Sequence, residues 1–223
     1  LLKSSLDLEN KFKQAIKVLK KDIKEKINYK IYILKYIKIY VNIGKNSYSI
    51  IFSKNKGEEI IKKIGKNNFV RLIFRYHVLG SNNNQLAVDN SVIKKLDVDL
   101  ELFASGFNNC SNNFCSLFPD LEKELGSVGR FQDLKFNCGR YQVNPPFQTT
   151  MIYNIINKIK QVVEDNNDIV FYLFLPDWNI VKNDLKYSKY LVLDLVEKIE
   201  GDIKVVKYDN KIFNYYDYWK EKK

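Results

Sequence analysis

Residues 169–176, Ile-Val-Phe-Tyr-Leu-Phe-Leu-Pro, are apolar without a break. A strand with no polar alternation has no face to give to water, so it belongs in a parallel sheet covered on both sides. The segment before it fits that reading. Gln142-Val143-Asn144-Pro145-Pro146-Phe147 ends a strand that begins near Tyr141, because two consecutive prolines supply no backbone donors. Residues 148–165 then have helical periodicity. Strand, crossover helix and strand in that order predict an α/β sheet of the doubly wound type. A helix over 184–199, a strand over 203–208 and a last strand within 211–219 continue the pattern. Upstream, residues 99–105, Asp-Leu-Glu-Leu-Phe-Ala-Ser, read as a short buried strand, followed by an Asn-, Gly- and Phe-rich region with few periodic elements.

The first third of the chain has another character. Residues 6–27 carry Leu8, Phe12, Ala15, Ile16, Leu19 and Ile23 at helical spacing with Lys on the opposite face, which predicts an amphipathic helix. Residues 29–43 are β-branched or aromatic at most positions, and 48–52 repeat this after the turn at Gly44–Ser47, so a hairpin or two adjacent strands is expected. A short helix and a longer one follow, broken at Gly65. Residues 81–90 read as a loop, with Ser91 capping the next helix.

Charge divides the chain in the same place. The 37 Lys and Arg exceed the 26 Asp and Glu, for a net +11, and residues 1–80 alone carry +13. A basic extension over residues 1–66 that grips a polyanion, joined to a domain over 67–223, is the expected organisation. Only four of the basic residues are Arg (Arg71, Arg75, Arg130 and Arg140), and AT-rich coding by itself enriches Lys, Asn, Ile and Tyr.

Several classes are set aside. No run of about 18 apolar residues exists to span a membrane, and the first residues are too charged for a signal peptide, so the protein reads as intracellular. Cys110, Cys115 and Cys138 are too few and of odd number for a disulfide framework. With His77 they lack the C-x2-C pairing of a zinc site, so no metal is expected. Leu1 in place of Met is what a fragment or trimmed chain would show.

Asn144-Pro145-Pro146-Phe147 is the segment that carries chemistry. It stands at the carboxyl end of a predicted strand, where doubly wound sheets bind ligands. The adenine amino group is a poor nucleophile because its lone pair is delocalised into the ring. An enzyme that alkylates it must accept hydrogen bonds from both N–H groups and help localise that lone pair. The Asn144 side-chain oxygen and a nearby backbone carbonyl can do so. Pro145 and Pro146 make the turn rigid and free of competing donors, and Phe147 can stack on the base.

These residues do not stand alone. Leu72 to Tyr76, Glu101-Leu102-Phe103-Ala104-Ser105, Asn109-Cys110, Cys115 to Asp120, Gly126-Ser127-Val128-Gly129, Asn144 to Phe147 and Phe174-Leu175-Pro176-Asp177-Trp178 occur in that order. Over residues 69–178 the chain resembles the methyltransferase domain of the phosphorylated-CTD-interacting-factor family, the cap-specific adenosine N6-methyltransferases. The resemblance implies a Rossmann-like S-adenosylmethionine-dependent methyltransferase sheet with a basic N-terminal α+β extension. Its substrate would be the adenosine beside the 7-methylguanosine cap of mRNA. Asn144 and Pro145 would grip the amino group and Phe147 would stack on the base, with Asn144 also near the cofactor. Arg75 would meet the methionyl carboxylate, and Glu101, Phe103, Ala104, Ser105 and Ser127 would line the rest of the cofactor pocket. Asp177 and Trp178, beyond the last apolar strand, would line the nucleotide site. His77 reads as packed rather than catalytic, since methyl transfer from a sulfonium needs positioning rather than a base.

The chain also departs from the family. Gly106 and Phe107 replace a Pro and Leu after F-A-S, the closing strands are not recognisable, and no amino-terminal WW module is seen. Such a compact, Lys-rich version suits a virus or a unicellular eukaryote, with the nucleus or a viral or cytoplasmic transcription site as its expected location. Two other functions fit the same residues: N6-methylation of adenine in internal RNA or DNA, and an inactive family member that binds capped RNA or a partner without catalysis.

Overall fold

Alternation of buried and exposed residues along Ile37, Lys38, Ile39, Tyr40, Val41, Asn42 and Ile43 gives this stretch one face for a core and one for water. In the computed structural model it is the central strand of an antiparallel sheet. The structure describes residues 13–20, 27–80, 86–146, 149–165, 168–175, 213–215 and 218–219. The helix and strand expected over 184–199 and 203–208, and most of the helix expected over 6–27, lie outside these; residues 13–20 are helical (α1).

The chain divides into two compact units, one of Leu1–Gln85 with Asp120–Leu125 and Tyr216–Lys223, the other of Leu86–Pro119 with Gly126–Tyr215.

In the first unit β1 (Asn28–Ile33), β2 (Ile37–Ile43) and β3 (Asn46–Phe52) pair antiparallel in that order. There are therefore three strands where residues 29–52 were expected to give two. The extra turn falls at Leu34–Tyr36, which contains neither Gly nor Pro and so carries no turn signal. Helix α2 (Lys54–Val78) packs on the buried face of the sheet, with Phe52 against Phe69 at 5.6 Å and Tyr48 against Phe74 at 5.1 Å. Gly65 interrupts α2 at φ 78°, ψ 159°, as the sequence predicts. Trp219 closes the unit, edge-on to Phe52 at 4.9 Å.

The second unit is mixed α/β. Its five-stranded sheet has the order β7 (Ser127–Gly129), β6 (Phe114–Cys115), β5 (Leu100–Glu101), β8 (Gly139–Val143), β9 (Ile169–Leu173), and every neighbouring pair is parallel. Counted from β5, this is 3-2-1-4-5, an order compatible with a Rossmann-like sheet. Helix α5 (Thr149–Asp165) crosses from β8 to β9, and its Ile155 and Ile159 pack with Leu102, Tyr141 and Val143. The other crossovers correct the expectation of repeated helices. Among the described residues they run through irregular chain, the one-turn α4 (Pro119–Glu122) and two 3-10 turns. Residues of opposite parity meet a second cluster of Val88, Ile93 and Phe174, to which α3 (Asn90–Leu96) contributes.

Two further expectations are corrected. The stretch 81–90 is not all loop: β4 (Leu86–Val88) pairs antiparallel with β10 (Phe213–Tyr215). The cap of α3 is Asp89 rather than Ser91; its Oδ1 accepts from the Ser91 N–H at 2.8 Å.

In the first unit Arg75, 3% exposed, donates from Nη1 to Asp120 Oδ2 at 2.7 Å, and the Tyr76 hydroxyl lies 3.1 Å from Glu122 Oε2. A double-mutant cycle of Arg75→Met and Asp120→Asn in urea denaturation is expected to give a coupling of about 1–3 kcal/mol; additive losses would show that the pair contributes nothing. His77, the single histidine of the chain, is held below its ordinary pKa by burial, and its Nδ1 has no hydrogen-bond partner among the described residues. The fold therefore prefers the neutral ring. As pH falls through about 6.5 the unfolded chain takes up the proton first, and the contribution of His77 to stability, complete above that pH, is lost. Urea midpoints are expected to drop between about pH 7.5 and 5.5, with a shallower drop in His77→Phe.

Candidate active site at the carboxyl edge of the parallel sheet

From β5 the chain proceeds to β6 on one side, and from β8 to β9 on the other. The two strands are neighbours at the point where the strand order reverses, the place where open α/β sheets bind ligands. Leu102 continues the pairing, donating its N–H to the Gln142 carbonyl at 2.8 Å. Residues 102–109 and 144–146 thus emerge side by side.

Glu101 ends β5 and is 3% exposed. Its Oε1 accepts three bonds, from the Cys110 N–H at 2.6 Å, the Ser111 N–H at 2.5 Å and the Ser111 hydroxyl at 2.8 Å. Burial pushes the carboxyl above its ordinary pKa and the three donors pull it back. Among the described residues its Oε2 takes no hydrogen bond, which leaves one carboxylate oxygen for something else. Next to Glu101 in the ladder is Gln142, 1% exposed, whose Oε1 has no hydrogen-bond partner among the described residues. A buried amide oxygen without a donor is costly. Two acceptors in search of donors therefore stand together at the point where the strand order reverses.

The loop after β5 is held by side chains. Ser105 N–H and Oγ both meet Asn108 Oδ1, at 2.8 and 2.9 Å, and the Ser105 hydroxyl accepts from the Phe107 N–H at 3.2 Å. The Asn108 amide nitrogen donates onward to the Leu86 carbonyl at 3.2 Å. Asn144 donates from Nδ2 to that same carbonyl at 3.3 Å. One backbone oxygen of β4 thus ties the loop after β5 to the turn after β8. It also sets the direction of the Asn144 amide: the NH2 end is engaged, and Oδ1 accepts no bond among the described residues. Pro145 is buried and Pro146 exposed.

Not all the sequence-selected residues belong to this cluster. Phe103 packs against Phe131 at 4.7 Å. Ala104 donates its N–H to the Cys115 carbonyl at 3.1 Å. Ser127 opens β7, its hydroxyl 2.7 Å from that of Ser116. Arg75 belongs to the other unit, where the carboxylate it meets is Asp120. Phe147, Asp177 and Trp178 lie outside the described residues. Cys110 donates to the Val88 carbonyl, and burial pushes its thiol up to about 11. Among the described residues no three His, Cys, Asp or Glu gather as a metal site would need, and no helix is long and apolar enough to cross a membrane.

Sequence reasoning missed Leu86, Asn108 and Gln142. The first acts through its backbone, which no residue type announces. Gln142 did carry a signal, as the one polar position between Tyr141 and Val143 in a buried strand.

A parallel α/β sheet with polar groups converging on its switch point is an arrangement compatible with a Rossmann-like fold. Comparison with known proteins narrows the class. Residues 47–201 match the family model described as "Phosphorylated CTD interacting factor 1 WW domain". The chain belongs to the phosphorylated CTD interacting factor family. An mRNA (2'-O-methyladenosine-N(6)-)-methyltransferase of Homo sapiens and one of Mus musculus are each 30% identical to it over 82 residues. That alignment covers 36% of this chain and spans about 12% of the length of each relative.

Asn108→Ala removes one donor to Leu86 and the acceptor of Ser105, and is expected to lower the free energy of unfolding by about 1–3 kcal/mol. Asn108→Asp keeps the acceptor and loses the donor, so its urea midpoint is expected between those of wild type and the alanine variant.

Proposed function

We propose that the protein is an S-adenosylmethionine-dependent methyltransferase that modifies N6 of adenosine in RNA, with the adenosine beside the mRNA cap as its substrate. The observation that carries this reading is the Asn144 amide, held through Nδ2 by the Leu86 carbonyl with Oδ1 left to accept. A site for the adenine amino group needs an acceptor in a fixed direction, and an amide anchored by its donor end provides one. The family membership and the methyltransferase activity named for the human and mouse relatives support the same chemistry.

The residues at the switch point suit the cofactor. S-adenosylmethionine brings an ammonium, ribose hydroxyls and an amino group, all donors, and Gln142 Oε1 and Glu101 Oε2 are acceptors that meet no donor among the described residues. Glu101, Gln142 and the 103–105 segment would hold it. When bound, the cofactor supplies an electrophilic methyl group on a sulfonium sulfur.

The chain does the rest by positioning. Asn144 Oδ1 accepts one amino hydrogen and a carbonyl of the Pro145-Pro146 turn the other, so the nitrogen lone pair turns out of conjugation with the ring. The prolines add no donor that would compete. Phe147, next in sequence, would stack on the base and fix its plane. The extra amino proton leaves to solvent after transfer, so no side chain need act as a base.

Labelled methyl transfer to capped RNAs that begin with adenosine or guanosine, beside an uncapped RNA and a DNA, tests the reading. Transfer is expected to capped RNA beginning with adenosine, reduced about a hundredfold or more in Asn144→Ala. Transfer that ignores the adenosine, or survives that substitution, sinks the mechanism. Equal transfer to uncapped RNA removes the cap from the reading and keeps the chemistry. RNA binding without any transfer would make the chain a binding module.

A further inference from the structure

The outward face of the antiparallel sheet in the first unit has no part in the chemistry above. Its register sets Lys30 opposite Tyr40 and Tyr32 opposite Lys38, and continues Tyr40 to Ser49 on β3. These residues share one side of the sheet because neighbours along a strand alternate. The other side buries Ile37, Ile39, Val41, Ile50 and Phe52. Tyr32 and Tyr40 are 48% and 43% exposed, and their rings meet edge to face at 6.0 Å. Two adjacent aromatic rings thus stand in water between two lysines. No Asp or Glu occurs from Lys26 to Gly57, a stretch that also holds Lys35 and Lys45.

A partner for this face must be anionic and must offer flat apolar surfaces. An acidic peptide has the charge without the rings, and a nucleic acid duplex hides the faces of its bases in its own stack. An unpaired polynucleotide has both: bases that stack on tyrosine and phosphates that pair with lysine. We propose that the outer face of β1–β2–β3 docks single-stranded RNA, with Tyr32 and Tyr40 as stacking positions and Lys30 and Lys38 as phosphate contacts. The choice of RNA over single-stranded DNA rests on the methyltransferase reading above; the geometry does not.

Fluorescence anisotropy of the full chain with a labelled, uncapped single-stranded RNA of about 12 nucleotides tests this without any methyl transfer. Replacing both Tyr32 and Tyr40 by Ala is expected to weaken binding about tenfold or more, while the double Phe variant, which keeps the rings, binds as wild type does. Lys30→Gln with Lys38→Gln is expected to make the slope of log affinity against log salt shallower by about 1.4. Lys94→Gln with Lys95→Gln removes the same charge from the exposed side of α3, outside the basic extension, and is expected to leave affinity within about twofold. Equal losses from the two lysine pairs, wild-type binding by the Tyr-to-Ala variant with its fold intact by circular dichroism, or preference for a duplex would each overturn the proposal. Tyrosine-dependent RNA binding with no methyl transfer would leave this surface standing and remove the proposed function. Methyl transfer with tyrosine-independent binding would do the reverse.

Discussion

The parallel pairing of β5 with β8 is the contact on which the second unit depends. It is short: Leu100 faces Tyr141 and Glu101 faces Gln142, extended by single bonds from Asp99 N–H to the Arg140 carbonyl and from Leu102 N–H to the Gln142 carbonyl. So brief a ladder could not hold by itself. It holds because Leu102, Tyr141 and Val143 sit in one apolar cluster with Ile155 and Ile159 of α5. The alternation that sends those side chains to one face sends Glu101 and Gln142 to the other. Apolar packing on one side thus fixes two polar groups next to each other on the opposite side, where the strand order reverses.

Burying such groups opposes folding unless they are partnered. For Glu101 the partner is the chain itself, since Oε1 collects two backbone N–H groups and a hydroxyl from residues 110–111. The carboxylate thereby folds a stretch that lacks regular structure of its own. The Leu86 carbonyl plays the complementary part, one acceptor for two amides. Between them these bonds hold the loop after β5 without a crossover helix. They also leave three atoms at the switch point that meet no donor among the described residues, Glu101 Oε2, Gln142 Oε1 and Asn144 Oδ1, and all three accept.

How much of this was legible depends on whether the cause is local. The β8 and β9 strands, the helix between them and the break at Gly65 follow from unbroken apolar runs, helical spacing and Pro or Gly, and all can be read in a short window. The turn at Leu34–Tyr36 escaped because it holds none of the residues that usually mark a turn, Gly, Pro, Asn, Asp or Ser. β4 escaped because three residues in Asn-rich surroundings become a strand only by pairing with Phe213–Tyr215, far along the chain. Within the candidate site the residue types were readable and the connections were not. Asn144 stands out beside its prolines, but nothing in the sequence says that its amide nitrogen meets Leu86, or that Asn108 shares the same carbonyl.

That shared carbonyl bears on selectivity. An asparagine free to rotate would offer NH2 and oxygen alternately and could serve a ring carbonyl as well as an exocyclic amine. Anchored by Nδ2, it offers the oxygen, and a base that presents an acceptor there would face another acceptor across a short distance. Guanine and uracil place a carbonyl oxygen where adenine and cytosine place an amino group. In the proposed site the anchor would accordingly reject the first two through electrostatic repulsion, and the choice between adenine and cytosine would fall to the size and shape of the ring. Discrimination of this kind costs little when the correct base binds, because the amide is already oriented before the base arrives.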